Sequence, residues 1–134
     1  MIVSTRGRYA LRVLVEMAEH SSDERIPLKE ISEKQGISQK YMESIMTLLS
    51  KNGFVDAIHG EGGGYMLNRK PEEYRIGDIL RLTEGTLAPV ACLEKNAEQC
   101  PKQNVCRTVG MWRKLDELIE SYLDSVTIAD LMKE

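Results

Sequence analysis

The stretch Pro27-Leu28-Lys29-Glu30-Ile31-Ser32-Glu33-Lys34-Gln35-Gly36-Ile37-Ser38-Gln39-Lys40-Tyr41-Met42-Glu43-Ser44-Ile45-Met46-Thr47-Leu48-Leu49-Ser50 reads as two helices joined by a tight turn. Leu28, Ile31 and Ser32 recur at helical spacing behind Pro27, which suits a first turn because it has no N–H to leave unpaired. Gly36 ends that helix, since glycine takes a left-handed C-terminal conformation without a Cβ clash. Ser38 is placed to cap a second helix over residues 39–52, and Asn52-Gly53 stops it. Tyr41, Met42, Ile45, Leu48 and Leu49 fall on its inner face, leaving Gln39, Lys40, Glu43, Ser44 and Thr47 outward. A short helix, a glycine turn and a capped second helix form the helix-turn-helix layout, whose second helix enters the DNA major groove N-terminus first. The outward side chains suit that role, because Gln pairs with adenine, Glu accepts from cytosine N4 and Lys reaches phosphate. Helical hairpins that merely pack show the same pattern.

Upstream, Tyr9, Ala10, Val13, Leu14, Met17 and Ala18 recur at three- and four-residue steps, predicting a helix over 5–20. Ser4 or Thr5 is its cap, and His20-Ser21-Ser22-Asp23 breaks it. Downstream, Phe54–Ile58 and Tyr65–Leu67 are strand-like runs around the glycine-rich turn His59-Gly60-Glu61-Gly62-Gly63-Gly64, a β-hairpin signature. A helix-turn-helix followed by such a ribbon is a winged helix. His59 then lies near the wing tip, and the glycines from Gly60 onward let backbone approach phosphate closely. A nucleotide-cradling loop is the rival reading, but the Lys-Ser/Thr it requires after the glycines is missing. A plain solvated turn is the other. A further helix is predicted over Gly77–Glu84. Val109, Trp112, Leu115, Ile119, Tyr122 and Val126 then make a long apolar stripe, too long for the small N-terminal domain to cover. It predicts pairing with a second copy, the alternative being a helix folded back on its own core. Thr127 and Asp130 have near capping-box spacing.

Residues 85–105 lack periodicity, and three cysteines crowd this region at Cys92-x7-Cys100-x5-Cys106. An odd count without a secretion signal argues against a disulfide framework. Zinc sites usually contain closer ligand pairs, and a Cys-x-x-Cys redox pair is absent. Three thiolates on one irregular loop fit an iron–sulfur cluster, which normally takes four ligands. Glu94, Glu98, Asn104, a partner-chain group or a small exogenous molecule are the candidates for the fourth. Spacing alone also leaves open zinc, a metal-free thiol redox switch and unmetallated structural cysteines.

The 134 residues suffice for one domain, and 42% apolar with 29% charged composition argues against disorder. No apolar run approaches a membrane span, and the start lacks a signal region, so a soluble cytoplasmic protein is expected. Residues 1–70 hold ten Lys/Arg against nine Asp/Glu, and residues 71–134 hold eight against twelve. Charge alone therefore does not identify a nucleic-acid binder. Two separated histidines and no convergent carboxylates supply no catalytic constellation, so no enzyme is expected. A winged helix that binds only protein is the non-DNA alternative.

Several blocks resemble one family. They are Ser4-Thr5-Arg6-Gly7-Arg8-Tyr9-Ala10, Ile31 to Ser38 with Tyr41-Met42-Glu43, Gly60 to Tyr65, Gly77-Asp78-Ile79, the cysteine triplet, Trp112 and Thr127 to Leu131. In this order, over nearly the whole chain, they are similar to the Rrf2 (Rrf-two) winged-helix transcriptional regulators, in the cysteine-bearing IscR/NsrR/RirA-like branch. The resemblance implies a mainly α fold with a small β-hairpin. A winged helix-turn-helix DNA-binding domain (1–84) would precede a cysteine-bearing cluster loop (85–108) and a dimerisation helix with a C-terminal turn (109–134). It implies a bacterial homodimer on a palindromic operator whose DNA affinity is switched by the state of an iron–sulfur cluster, 2Fe–2S or 4Fe–4S, in response to iron–sulfur status, iron or nitric oxide. A metal-free, thiol-switched DNA-binding regulator is the alternative. By residue match, Tyr9, Ser38, Lys40, Tyr41, Glu43, His59 and Gly60 face DNA, joining Gln39 and Ser44. Cys92, Cys100 and Cys106 are the implied cluster ligands. Val109 stands where IscR-like members place a histidine ligand, and Arg8 where some NsrR-like members place an acidic one, so the resemblance assigns no fourth ligand. His59 stands where such wings often carry arginine, and a neutral histidine there weakens minor-groove attraction.

Overall fold

In the computed structural model, which describes residues 3–20, 24–95, 97–98, 101–102 and 105–134, helix α1 covers Thr5–Glu19. Its start is set by Ser4, whose Oγ accepts the Gly7 N–H at 3.0 Å. Helix α2 (Leu28–Gln35) ends at Gly36, which takes φ +65° as the turn requires. Helix α3 (Gln39–Lys51) starts at Ser38, whose Oγ accepts the Tyr41 N–H at 3.2 Å. Strands β1 (Val55–Ile58) and β2 (Gly64–Leu67) form an antiparallel hairpin, with Val55 opposite Leu67 and Ile58 opposite Gly64. Then follow α4 (Ile76–Glu84), the long α5 (Val109–Ser125) and the single-turn α6 (Ile128–Leu131). The α6 cap is a full capping box: Thr127 Oγ1 accepts from the Asp130 N–H at 3.2 Å and Asp130 Oδ2 from the Thr127 N–H at 2.9 Å. The predicted mainly α winged helix is thus observed, with element ends shifted by a residue.

One core gathers these elements. Ala10, Val13 and Leu14 of α1, Ile31 of α2, Met42, Ile45, Met46 and Leu49 of α3, and Ile79 of α4 are all fully excluded from water. Two assignments on α3 need correcting. Tyr41 and Leu48, expected inside, are half-buried, while Met46 takes an inner position. The buried arc is centred between Met42 and Met46, so residues at either margin meet the surface. Ile128 belongs to the same core. It is held there because residues 74–76 pair with 126–128 through Ile76 N–H to Val126 O at 2.9 Å and Ile128 N–H to Tyr74 O at 3.0 Å.

Helix α5 does not carry the single stripe that its sequence predicts. Ile119 and Leu123, with Val126 just beyond, pack on the core of the same chain. Met111, Leu115, Leu118 and Tyr122, at i, i+4, i+7 and i+11, lie on a neighbouring face and are 56%, 38%, 55% and 67% exposed. Helical periodicity merges two adjacent faces into one apolar pattern, and only packing separates them.

An ion-pair clasp fixes α5 to α4. Arg81 donates to Asp124 Oδ2 at 2.9 Å, to Asp78 Oδ1 at 3.2 Å and to Glu120. The Arg81 hydrogen bond holds the Asp124 carboxyl below the usual aspartate range, against the effect of burial. A depressed carboxylate stabilises the fold above its ordinary pKa, and that contribution is lost as pH falls through the folded value. The other Asp124 oxygen is buried against Gly77 in the first turn of α4, where the helix dipole favours negative charge. A methyl at Gly77 would overlap that oxygen. Gly77→Ala is therefore expected to cost about 1–3 kcal/mol in urea unfolding, the usual penalty of overpacking. Combining it with Asp124→Ala should cost less than the two single changes added together. Additive losses would show that the two residues do not meet.

Candidate nucleic-acid interface and cysteine loop

The N-terminus of α3 projects its first side chains into solvent: Ser38, Gln39, Lys40, Glu43 and Ser44 are all exposed. The exposed start of α3 presents the helix's positive end to solvent, the polarity that suits phosphate. Ser44 Oγ donates to the Tyr41 carbonyl at 2.7 Å, so this hydroxyl presents lone pairs rather than its proton. Tyr9 and Tyr41 come from different helices and meet edge to face, with centroids 6.0 Å apart and planes at 88°. The Arg12 guanidinium lies 5.1 Å over the Tyr9 ring. Tyr9 thus ties α1 to the start of α3, and both rings are half-buried at the edge of the candidate face.

The hairpin stands beside α3. Burial raises the Tyr65 phenol on β2, and the negative charge of Glu43 raises it further. His59 and Gly60 are exposed in the loop between the strands, where Gly60 and Gly62 take φ +87° and +76°. The base of the hairpin is anchored by Tyr74, which is fully buried and donates through its hydroxyl to Phe54 O at 2.6 Å. Arg69 stacks 5.1 Å over Phe54 and 4.9 Å over Tyr74 and donates to Gly53 O at 2.8 Å. A second anchor was not read from the sequence. Residue 26 pairs with β2 on the edge away from β1: Ile26 N–H donates to Tyr65 O at 2.9 Å, and Tyr65 N–H to Ile26 O at 3.0 Å. The available signal was Ile26-Pro27, since the residue before proline is driven into extended backbone.

Of the three cysteines, Cys92 is exposed on a 3-10 turn over Ala91–Leu93, and Cys106 is half-buried. Cys100 and Asn104 lie outside the described residues. Both described thiols are free. Cys106 Sγ lies 3.5 Å from Thr108 Oγ1, just before the N-terminus of α5. The Thr108 hydroxyl holds its thiol below the ordinary range, helped by the backbone of Thr108 and Val109 and by Arg113. That environment favours thiolate, the form that ligates metal or reacts with oxidants. Among the described residues no three His, Cys, Asp or Glu side chains gather as a metal site. Glu94 and Glu98 are exposed, as is Arg8. The donor chemistry at Cys92 and Cys106 fits a thiolate-held centre, and its third expected ligand is Cys100. No helix among the described residues is long and apolar enough to cross a membrane.

A family described as Rrf2, iron-dependent transcriptional regulator, matches residues 3–134. Protein rrf2 of Nitratidesulfovibrio vulgaris is 37% identical over 134 residues, which is all of this chain and 89% of that protein. HTH-type transcriptional regulator IscR of Yersinia pestis is 37% identical over 132 residues, 98% of this chain and 79% of that one. Among solved structures, T. potens IscR superposes with a TM-score of 0.76 at 34% identity, covering 99% of this chain and 87% of that chain. CymR, the global cysteine regulator of B. subtilis, superposes with a TM-score of 0.79 at 30% identity, covering 99% and 97%.

Proposed function

Because the chain belongs to the Rrf2 family of transcriptional regulators and is not an enzyme, we propose that it acts in the cytoplasm as an iron–sulfur-sensing, DNA-binding homodimer on a palindromic operator. The observation that carries this reading is the presence of two surfaces in one chain, the second leading into α5, which packs on the shared core. The exposed α3 start and the wing make one, and the thiol-bearing loop that runs into the N-terminus of α5 makes the other. Residues 1–84 would bind DNA, 85–108 would hold the cluster, and 109–134 would pair the copies, although one core spans the first and last of these. Gln39 and Glu43 would read base edges, Lys40 and Ser38 would take phosphates, and His59 and Gly60 would bring the wing to the duplex. Tyr9 and Tyr41 would hold α3 at the groove, with Ser44 accepting from a base amino group. Cys92, Cys100 and Cys106 would hold the cluster as thiolates, Thr108 favouring the charged form at Cys106. A bound cluster supplies a centre that oxidants, iron loss or nitric oxide can alter. Iron, sulfide and visible absorption in anaerobically purified protein test the reading.

The second reading, a metal-free thiol switch on the same DNA-binding fold, rests on the same low-lying Cys106 thiol. It predicts colourless anaerobic protein whose DNA binding changes with oxidant. Base readout is tested separately. Glu43→Ala is expected to relax preference at one operator base pair by about 1–3 kcal/mol, with little change in average affinity. Binding titrations on single-base operator variants measure this. An equal loss on every DNA would remove Glu43 from the readout.

A further inference from the structure

The wing carries a charge problem. Residues 55–67 include Asp56 and Glu61 and no Lys or Arg, so the hairpin alone presents net negative charge to a polyanion. Arg69, just beyond it, is stacked on Phe54 and Tyr74 at the hairpin base. The cation beside the tip comes from elsewhere in the chain. Ile26 is laid along β2 by its two backbone bonds to Tyr65, and Arg25 rides on that strap. Both terminal nitrogens of Arg25 come to 3.9 Å from the position a Cβ would occupy on Gly62, at the turn of the wing. Arg25 is exposed, and among the described residues no carboxylate pairs with it.

The strap depends on glycine. A Cβ at Gly64 would stand 2.6 Å from the Ile26 carbonyl oxygen, and Gly64 takes φ +151°. Only a residue without a side chain lets the two backbones come this close. The glycine run therefore does more than loosen the turn: it seats residue 26 on the wing and brings Arg25 to its tip.

The geometry points to Arg25 as the wing's phosphate-binding cation, contributed from outside the hairpin by the residues just before α2. The assignment rests on the DNA-binding reading above and deepens it. A guanidinium suits the task because it stays charged and can meet a phosphate with two donors. Phosphate contacts carry no sequence information, so the effect should be uniform across DNA sequences.

The test is fluorescence anisotropy with two duplexes of unrelated sequence, each of about 30 base pairs or roughly three helical turns, across a salt series. Each phosphate neutralised contributes about 0.9 to the slope of log affinity against log salt, so two wings contribute about 1.8. Arg25→Ala is expected to lower the slope by that amount on both duplexes. Binding should weaken about 60-fold at 0.1 M salt and converge with wild type near 1 M. Arg25→Lys should keep most of the slope. Gly64→Ala, with Arg25 intact, should lose it as the strap lifts. An unchanged slope in Arg25→Ala, with wild type binding normally, overturns the assignment, as does a loss confined to one sequence. A wild-type protein without salt-dependent binding overturns the DNA-binding reading and this assignment together.

Discussion

Anaerobically purified Cys106→Ala protein is expected to be colourless and nearly free of iron and sulfide, while keeping wild-type helicity and melting behaviour. Cys106 lies outside the core, so the alanine leaves no cavity among the buried residues. What would be lost is one of the three proposed thiolate ligands, at the place where the Thr108 hydroxyl and the backbone at the start of α5 already favour the charged sulfur. Changes to groups that merely orient a metal ligand cost about 10- to 100-fold in affinity, and loss of the ligand itself should exceed that. Cys92→Ala should behave alike, since exposure of Cys92 on its 3-10 turn leaves it equally available. Thr108→Val should give an intermediate result, with colour present but more readily bleached by chelator. Iron content unchanged in Cys106→Ala would remove that thiol from the ligand set. Wild-type protein that is itself colourless would instead favour the metal-free switch.

The second large effect concerns α5. Leu118→Asp is expected to convert a dimer into a folded monomer and to weaken binding to a two-half-site operator by about 10²–10⁴-fold, the advantage that linking two sites confers. The side chain is 55% exposed within one chain, so a carboxylate there is tolerated by the monomer. Between two copies it would be buried among Met111, Leu115 and Tyr122 of each, where an unpaired charge is costly. Sedimentation or light scattering reads the oligomeric state, and circular dichroism checks that the monomer is folded. A Leu118→Asp protein that remains dimeric would place the contact between copies elsewhere. Ile119→Asp is the contrasting change: it faces the core of its own chain and should lower stability before it affects association.

The contrast between Leu118 and Ile119 shows where sequence reading stops. Ile119 shares the predicted stripe with Leu115 and Tyr122, which are exposed, while Leu118 lies outside it, and the stripe does not say which face meets the chain's own core. The thiol loop is similar. Crowding of Cys92, Cys100 and Cys106 is visible in the sequence, and so is the departure at Val109, but the Thr108–Cys106 contact is a matter of loop geometry. Tyr74 gave no periodic signal at all, yet its hydroxyl anchors the hairpin at Phe54.

What the residues determined unaided was local. Ser4, Ser38 and Thr127 cap helices, Gly36 turns the chain, and the glycines after Ile58 close a hairpin, because each depends on interactions reaching only a few positions along the backbone. Helix identity and the winged layout follow from these, while the family is carried by the resemblance of whole sequence blocks. The tertiary structure alone decided the pairings of distant residues: Arg81 with Asp124, Asp124 on Gly77, Tyr74 under Phe54, and Arg25 beside Gly62. No period in the sequence encodes such contacts, since they arise only when packing one shared core brings separate elements to a fixed distance.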